Sequence, residues 1–205
     1  MITSLLLACI ATPGLRTDGI APPTGGLEGG VGGAALFQPG GDADPLLGGG
    51  AGLMVGVGQD IGLGLAVVAD GGSDGGGMAA AELRAITPLL GSREDPRLTL
   101  ALGVSGSMYT DGAELGPWWP ELGLIAGTPL PAHLRLYGGA TVNWDIAKRQ
   151  EGIWVEPTLG LSFRPPLGPR LSGLVGLEAA ALTDGESFGL GPLLYLGLSG
   201  RRRPT

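Results

Sequence analysis

Charged side chains recur inside the apolar runs of this chain, each at an alternate position opposite Leu, Val or Ala. Because successive side chains of a β-strand point to opposite faces, this spacing places the charges on one face and the apolar residues on the other. Buried charges of both signs pair as an interior ion-pair network, whereas rings of such charges line a pore and set its ion preference. The candidate interior charges are Glu82, Arg84, Glu121, Arg135, Glu156, Arg164 and Glu178.

Groups that could perform catalysis are scarce. His133 is the single histidine, and with Ser105 or Ser107 and an inward glutamate it would imitate a hydrolase triad. Its position beside Pro131 instead indicates a surface side chain, so we predict no catalytic residue and no enzyme activity. One histidine and one cysteine cannot build a zinc site without several carboxylates, so we also predict no metal site and no cofactor.

The N-terminal region has the composition of an export signal followed by a linker. Residues 1–11 are predicted to be a signal or the remnant of a lipoprotein signal, and Cys9 in the string Leu-Leu-Ala-Cys resembles the lipobox cysteine that becomes acylated. Cleavage of a signal nearby, for example after Ala11, is the alternative. Paired prolines and glycines predict a flexible lead over residues 12–26, and residues 201–205 are predicted to be a solvated basic tail.

Residues 27–200 consist of alternating runs joined by turn signals. The 42 glycines of the chain permit the sharp curvature that a small barrel requires. Short turns are centred on Gln59, Glu94, Leu130 and Leu167, and longer loops are centred near Gly41, Ser73, Gly112, Arg149 and Gly185. We therefore predict an all-β fold, an antiparallel up-and-down barrel of about ten strands, with eight strands as the alternative.

The facing of these strands separates a membrane barrel from a soluble one. No run supplies the roughly 18 consecutive apolar residues of a membrane helix, and the face opposite Leu and Val is rich in Gly, Ala, Ser and Thr rather than the lysine typical of water-facing strands. Short turns at one end and longer loops at the other resemble the small bacterial outer-membrane β-barrel proteins, the OmpA/OmpW-like superfamily. The resemblance implies a monomeric transmembrane barrel with outer-membrane lipid and the barrel-assembly machinery as partners.

Aromatic residues cluster toward the predicted long-loop ends of the strands, as an interfacial girdle would. By strand parity Trp119 and Trp154 point inward, so the predicted girdle is incomplete. The chain also departs from the family after its last strand, because outer-membrane barrels commonly end on an aromatic residue and this chain continues through Gly200 to Thr205. The candidate interfacial aromatics are Tyr109, Trp118, Trp119, Trp144, Trp154 and Phe188.

Three functions remain, and nucleic-acid binding is excluded. A net charge of −7 with Lys148 as the only lysine leaves no basic patch for phosphate backbones. The leading hypothesis is an outer-membrane barrel with a structural, surface or narrow-pore role, with a plugged lumen favoured over a pore because about ten strands leave little room beyond side chains. The alternative is an exported soluble barrel of the periplasm, lipocalin-like, with its Leu/Val face inward around an apolar ligand. The third is a lipid-modifying barrel enzyme built on His133.

Overall fold

The structure is a computed structural model that describes residues 18–37, 46–58, 61–71, 78–109, 115–144, 153–183 and 188–200. The predicted signal with Cys9, the first part of the predicted lead and the basic tail lie outside the described residues. Among the described residues, no helix is long and apolar enough to cross a membrane.

All regular elements in the described part of the chain are β-strands, and ten of them are 10 to 16 residues long. A further strand, β9, has three residues. The strands are β1 (Leu27–Leu36), β2 (Leu46–Val57), β3 (Ile61–Gly71), β4 (Met78–Gly91), β5 (Pro96–Tyr109), β6 (Leu115–Leu130), β7 (Leu134–Trp144), β8 (Ile153–Phe163), β9 (Pro166–Gly168), β10 (Leu171–Thr183) and β11 (Phe188–Gly200).

The long strands form a closed antiparallel barrel. Each strand pairs with the next long strand along the chain, and β11 pairs both with β10 and, from Leu27↔Gly200 to Ala34↔Leu193, with β1. The short β9 adds to the start of β10 within the turn that follows β8. The closed barrel has 10 strands, which confirms the predicted fold class and the larger of the two predicted strand numbers.

Apolar side chains cover the outside of the barrel. Leu65 is 55% exposed, Leu159 is 62% exposed, and their inward neighbours along the strands, Ala66 and Gly160, are buried. Away from the two rims, the outward positions whose side chains the structure describes carry no Asp, Glu, Lys or Arg. The soluble, lipocalin-like alternative placed the Leu/Val face inward and is therefore wrong about the facing of the strands.

The two ends of the barrel differ in their connections. The short connection from β2 to β3, the short turns at residues 92–95 and 131–133, and the β9 turn lie at the end where β1 begins and β11 ends. We call this end the short-turn end and the opposite one the long-loop end. In the 131–133 turn, Ala132 and His133 adopt positive φ angles of 61° and 63°, a conformation that non-glycine residues rarely adopt.

A segment outside the barrel strands occupies the mouth at the short-turn end. Residues 18–24, which we call the strap, lie within the predicted flexible lead, but Asp18 is 0% exposed and Ala21 is 4% exposed. Ala21 packs against Met54 and Ile86 in a buried apolar cluster inside the barrel. The structure thus differs from the prediction over this part of the lead, because polar and apolar contacts with the lumen offset the flexibility that its prolines and glycines suggest.

Candidate functional site: the charged lumen

The structure places the seven predicted interior charges on the inner face. Six are buried, and Arg164 keeps 16% of its side chain exposed at the short-turn end. Sequence reasoning missed Asp18 and Glu28, which are 0% and 5% exposed. Glu28 could have been found by parity, because it shares its face of β1 with Gly30 and Ala34. Asp18 belongs to no strand and carried no comparable signal.

The middle of the lumen holds an acid–arginine–acid cluster built by strands alone. Arg84 forms ion pairs with Glu82, two residues away on the same face of β4, and with Glu121 of β6, at 2.8 Å between Nη2 and Oε2. Gly103 of β5 lies between Arg84 and Glu121 in the sheet register. A Cβ atom at Gly103 would approach Glu121 Oε2 to 3.1 Å, so the absence of a side chain there lets the pair span the intervening strand.

Two tyrosines and a glutamate form a second polar cluster. The hydroxyl of Tyr137 donates to Glu178 Oε2 at 3.0 Å and lies 3.4 Å from the hydroxyl of Tyr195. Each ring lies over a cross-strand glycine, Tyr137 over Gly160 and Tyr195 over Gly176. A Cβ atom at either glycine would overlap the ring. The two glycines therefore provide the space in which the aromatic rings fill the lumen.

At the short-turn mouth, Arg164 forms another acid–arginine–acid cluster, here with the strap. Its Nε and Nη2 atoms contact Asp18 Oδ2 and Oδ1 at 2.8 and 2.7 Å, and its Nη1 contacts Glu28 Oε2 at 2.7 Å. The hydroxyl of Ser162 also donates to Asp18 Oδ2. A bidentate pairing of guanidinium with carboxylate combines charge with a fixed planar geometry. This cluster therefore fixes the Asp18 end of the strap.

Arg135 links the strap to a turn. Its Nε donates to the backbone carbonyl oxygen of Asp18 at 3.0 Å, and its Nη1 forms an ion pair with Asp95 at 3.2 Å. Its Nη2 donates to the backbone oxygen of Pro96. The guanidinium lies against Gly127, where a Cβ atom would overlap it. Arg135, a predicted interior charge, therefore holds the backbone of the strap and of the turn by hydrogen bonds and also pairs with the charge of Asp95.

The other end of the strap is held by Arg93 from the 92–95 turn. Arg93 donates to the backbone oxygens of Pro22, Gly58 and Ile61 and to the hydroxyl of Thr24. At the first end of the strap, beside Asp18, the hydroxyl of Thr99 donates to the backbone oxygen of Gly19 at 2.9 Å. Side chains from the barrel and its turns thus hold the strap at both ends.

The electrostatics of the mouth favour an ionised Asp18. Burial by itself would raise the pKa of Asp18, but the charge of Arg164 and its hydrogen bonds, the hydrogen bond from Ser162 and the charge of Arg135 together hold the pKa below the usual 3.8. The carboxylate therefore stays charged at neutral pH and retains its attraction to Arg164.

The upper lumen, toward the long-loop end, contains aromatic and polar side chains. Trp119 and Trp154 are 1% and 4% exposed inside the barrel, in agreement with their parity, whereas Trp144 is 40% exposed on the outside. Asn143 pairs in register with Trp154, and among the described residues Asn143 Oδ1 and Trp154 Nε1 have no hydrogen-bond partner. The side chains of Tyr109, Trp118 and Phe188 lie outside what the structure describes.

The residues considered for catalysis are far apart. His133 is exposed in the short turn between β6 and β7. Ser105 is buried and pairs in register with Trp119, which lies on β6 even further from that turn than Glu121, the partner of Asn143. The two residues therefore lie toward opposite ends of the barrel, and the proposed triad is not assembled. Ser107 lies beyond Ser105 on the same strand, and its side chain is outside the described part.

The described residues contain no group of three or more His, Cys, Asp or Glu side chains suited to a metal ion.

Two cavities adjoin the clusters. One of about 400 Å³ lies beside the strap at the short-turn mouth and is lined by residues that include Pro22, Arg93, His133 and Arg164. The other, of about 20 Å³, lies deeper among residues that include Tyr137 and Glu178, a volume close to that of a single water molecule. The first is an open vestibule, and the second offers no room for a solute.

Solved structures similar to this chain have low sequence identity to it. The translocator domain of the autotransporter NalP from Neisseria meningitidis is 13% identical with a TM-score of 0.46, over 86% of this chain and 88% of that chain. The KdgM porin is 10% identical with a TM-score of 0.41, over 85% and 99%. Ail, the attachment invasion locus protein of Yersinia pestis, is 13% identical with a TM-score of 0.34, over 87% and 99%. At these scores the likeness carries no argument about activity.

No protein-family model and no characterised protein sequence matches the chain.

Proposed function

We propose that this protein is a monomeric barrel of the bacterial outer membrane with a closed lumen and a structural or surface role. The observation that carries the proposal is the division of side chains between its two faces. Leu and Val project outward from consecutive strands, while Glu82, Arg84 and the other described strand charges away from the rims are buried inside. Water on the outside would leave this large apolar surface unfavourably hydrated, whereas hydrocarbon accepts it.

Backbone hydrogen bonding supports the same environment. A membrane-spanning structure must satisfy its N–H and C=O groups internally, and a closed barrel does so because it has no open edge. Strands of 10 to 16 residues match or exceed the roughly 9–11 residues that a tilted strand needs to cross the hydrocarbon core. Both the length and the closure of the sheet therefore suit a transmembrane barrel.

A filled lumen favours a structural or surface role over a pore. The Arg84 cluster and the Tyr137 cluster occupy the middle of the barrel, and the strap occupies the short-turn mouth. An ion crossing this interior would have to displace paired charges, and each separated pair leaves a buried charge at a cost of several kcal/mol, about 3–5. No described contact favours catalysis over this role.

A pair of arginine substitutions tests whether lipid surrounds the barrel. Leu124 is 47% exposed in the middle of β6, and Thr128 is also exposed on that strand, nearer the short turn. In a bilayer, Leu124→Arg is expected to reduce the free energy of unfolding by about 2–4 kcal/mol and Thr128→Arg by about 0–1 kcal/mol. Denaturant titration of folded protein in lipid vesicles, followed by heat-modifiable gel migration, measures both.

The same pair separates the two environments. If water surrounded the barrel, both substitutions would lie within about 0.5 kcal/mol of the unchanged protein, and cell fractionation would recover a soluble periplasmic form. The proposal expects recovery in the outer-membrane fraction with dependence on the barrel-assembly machinery.

Trp144, on the outer surface, is proposed to lie at the lipid interface.

A further inference from the structure

We propose that Arg164 and Ser162 form a binding site for a small carboxylate anion at the short-turn mouth, and that Asp18 of the strap is its built-in occupant. The site is separate from the closed middle of the lumen and does not depend on the membrane role proposed above. Its ligand class follows from the shape of the contacts that Asp18 makes.

The contacts form a complete carboxylate receptor. Arg164 places one donor on each oxygen of Asp18, at 2.7 and 2.8 Å, and Ser162 adds a donor to one of them. The parallel donors of a guanidinium match the two oxygens of a planar carboxylate. Ser162 belongs to β8 and Arg164 directly follows it, so the receptor is part of the barrel wall, whereas its occupant belongs to no barrel strand.

The strap can leave the site without breaking the barrel. All ten long strands pair with both neighbours without it, and among the described residues its backbone forms one isolated bridge to the sheet, Thr24↔Gly56. Its other attachments are side-chain contacts from Arg93, Arg135 and Thr99 and the packing of Ala21 in the apolar cluster inside the barrel. The cavity of about 400 Å³ beside Pro22 and Arg164 gives a small anion a route to the guanidinium.

Glu28 restricts the charge of the ligand. It contacts Arg164 Nη1 at 2.7 Å and is 5% exposed, so one negative charge already lies on the far side of the guanidinium. With one additional carboxylate, Arg164 lies between two negative charges, as Arg84 lies between Glu82 and Glu121. A dianion such as sulfate would meet stronger repulsion from Glu28 in a poorly hydrated site, so the site is expected to prefer monocarboxylates.

Rescue of an emptied site tests the proposal. In the full chain with Cys9→Ala and Ala21→Cys, position 21 is buried when the strap is docked, so maleimide labelling of the folded barrel in detergent reports strap release. Asp18→Ala removes the charge-assisted hydrogen bonds to Arg164 and is expected to raise the labelling rate at least about tenfold. Formate should then restore protection with a saturable dose response, whereas chloride at equal ionic strength and sulfate should not.

Two double variants show which arginine formate needs in order to restore protection of the strap. Formate rescue should disappear in Asp18→Ala/Arg164→Gln and persist in Asp18→Ala/Arg93→Gln, in which the other anchor of the strap is removed. Rescue equal to that by chloride, rescue that survives the loss of Arg164, or an unchanged labelling rate in Asp18→Ala would each overturn the proposal.

A second measurement avoids the cysteine at position 21, which could itself weaken docking of the strap. In the chain without Ala21→Cys, the midpoint temperature of the heat-dependent gel shift is measured for Asp18→Asn and Asp18→Ala with and without formate. The proposal expects formate to raise the midpoint of Asp18→Ala only, because the amide of Asp18→Asn still fills the site. Equal shifts in both variants would contradict it.

Discussion

Two arginines of the lumen sit between pairs of carboxylates, but the surroundings of the two clusters differ. Arg84, in the middle, pairs with Glu82 and Glu121, all three from barrel strands. Arg164, at the short-turn mouth, pairs with Glu28 and with Asp18 of the strap. The same charge pattern is thus locked into the sheet in one place and completed by a separable segment in the other.

One barrel thus combines a fixed interior with a mouth that a separable segment completes. The side chains of the Arg84 cluster are 0–7% exposed and cannot reach water without opening the barrel. Arg164 is 16% exposed and adjoins the vestibule, so its partners regain hydration when the strap leaves. Loss of the central arginine should therefore cost more stability than loss of the arginine at the mouth.

The largest expected effect comes from that comparison. Arg84→Met leaves two buried carboxylates without the cation they share, and should reduce the free energy of unfolding by about 3–5 kcal/mol. Arg164→Met removes charge-assisted hydrogen bonds at a site that water can reach, and should cost about 1.5–3 kcal/mol. Arg97→Met, at an exposed position of β5, is the matched control and should change stability by less than about 0.5 kcal/mol.

Denaturant titrations of the three variants in the same lipid vesicles decide the ranking. Equal losses for Arg84→Met and Arg164→Met would show that the mouth is as rigid as the middle and would remove the distinction between the clusters.

An intermediate effect is expected from the packing of the tyrosine rings in the middle of the lumen. Gly176→Ala places a methyl group where the ring of Tyr195 lies, and the ring must shift, at a cost of about 1–3 kcal/mol. Gly33→Ala is the control, because the nearest atom to its new Cβ is the Gly48 carbonyl oxygen at an ordinary 3.6 Å. Similar unfolding midpoints for the two variants would mean that the ring is not confined as the structure places it.

A smaller effect, confined to the mouth, should follow acidification. Asp18 has a lowered pKa in the folded state, so its contribution to strap docking is fully present above the usual 3.8 and is lost as the pH falls through the lower folded value. Maleimide labelling at position 21 cannot be run in strong acid, so limited pepsin digestion measures strap release instead. Asp18→Asn should abolish the acid-dependent step, and a step of unchanged size in that variant would assign it to another group.

The smallest effect is expected at the second anchor of the strap. Arg93→Gln removes hydrogen bonds to Pro22 and Gly58 in a partly exposed turn, and should cost about 0.5–1.5 kcal/mol of strap docking with the barrel unchanged. Hydrogen exchange of the strap amides measures this directly. Faster exchange across the barrel strands as well would show that the strap supports the barrel as a whole.

The sequence predicted the barrel and its interior charges for one physical reason, the two-residue period of a strand. Parity alone placed Glu82, Glu156 and Trp119 on the inner face, and alternation of short turns with long loops supplied the strand number. Parity carries no information about partners across the lumen, so the pairing of Arg84 with Glu121 followed only from the closed register.

The strap could not be predicted, because its order comes from contacts distant in the chain. Asp18 and Arg164 are 146 residues apart, and the Pro-Pro and Gly-Gly pairs nearby are typical of flexible segments. A buried aspartate in a Pro/Gly-rich lead gains its fixed position from the arginines around it. Ion pairs of this kind are visible only once the barrel brings their partners together.

Single-channel recording tests whether the lumen is closed. Folded protein with a verified heat-dependent gel shift is inserted into planar lipid bilayers, and conductance is recorded in symmetric salt. The closed lumen predicts insertion without stepwise conductance, both for the unchanged chain and for Asp18→Ala, because the clusters of Arg84 and Tyr137 remain in place. Stable, reproducible current steps from the unchanged chain would contradict the closed lumen and establish a pore.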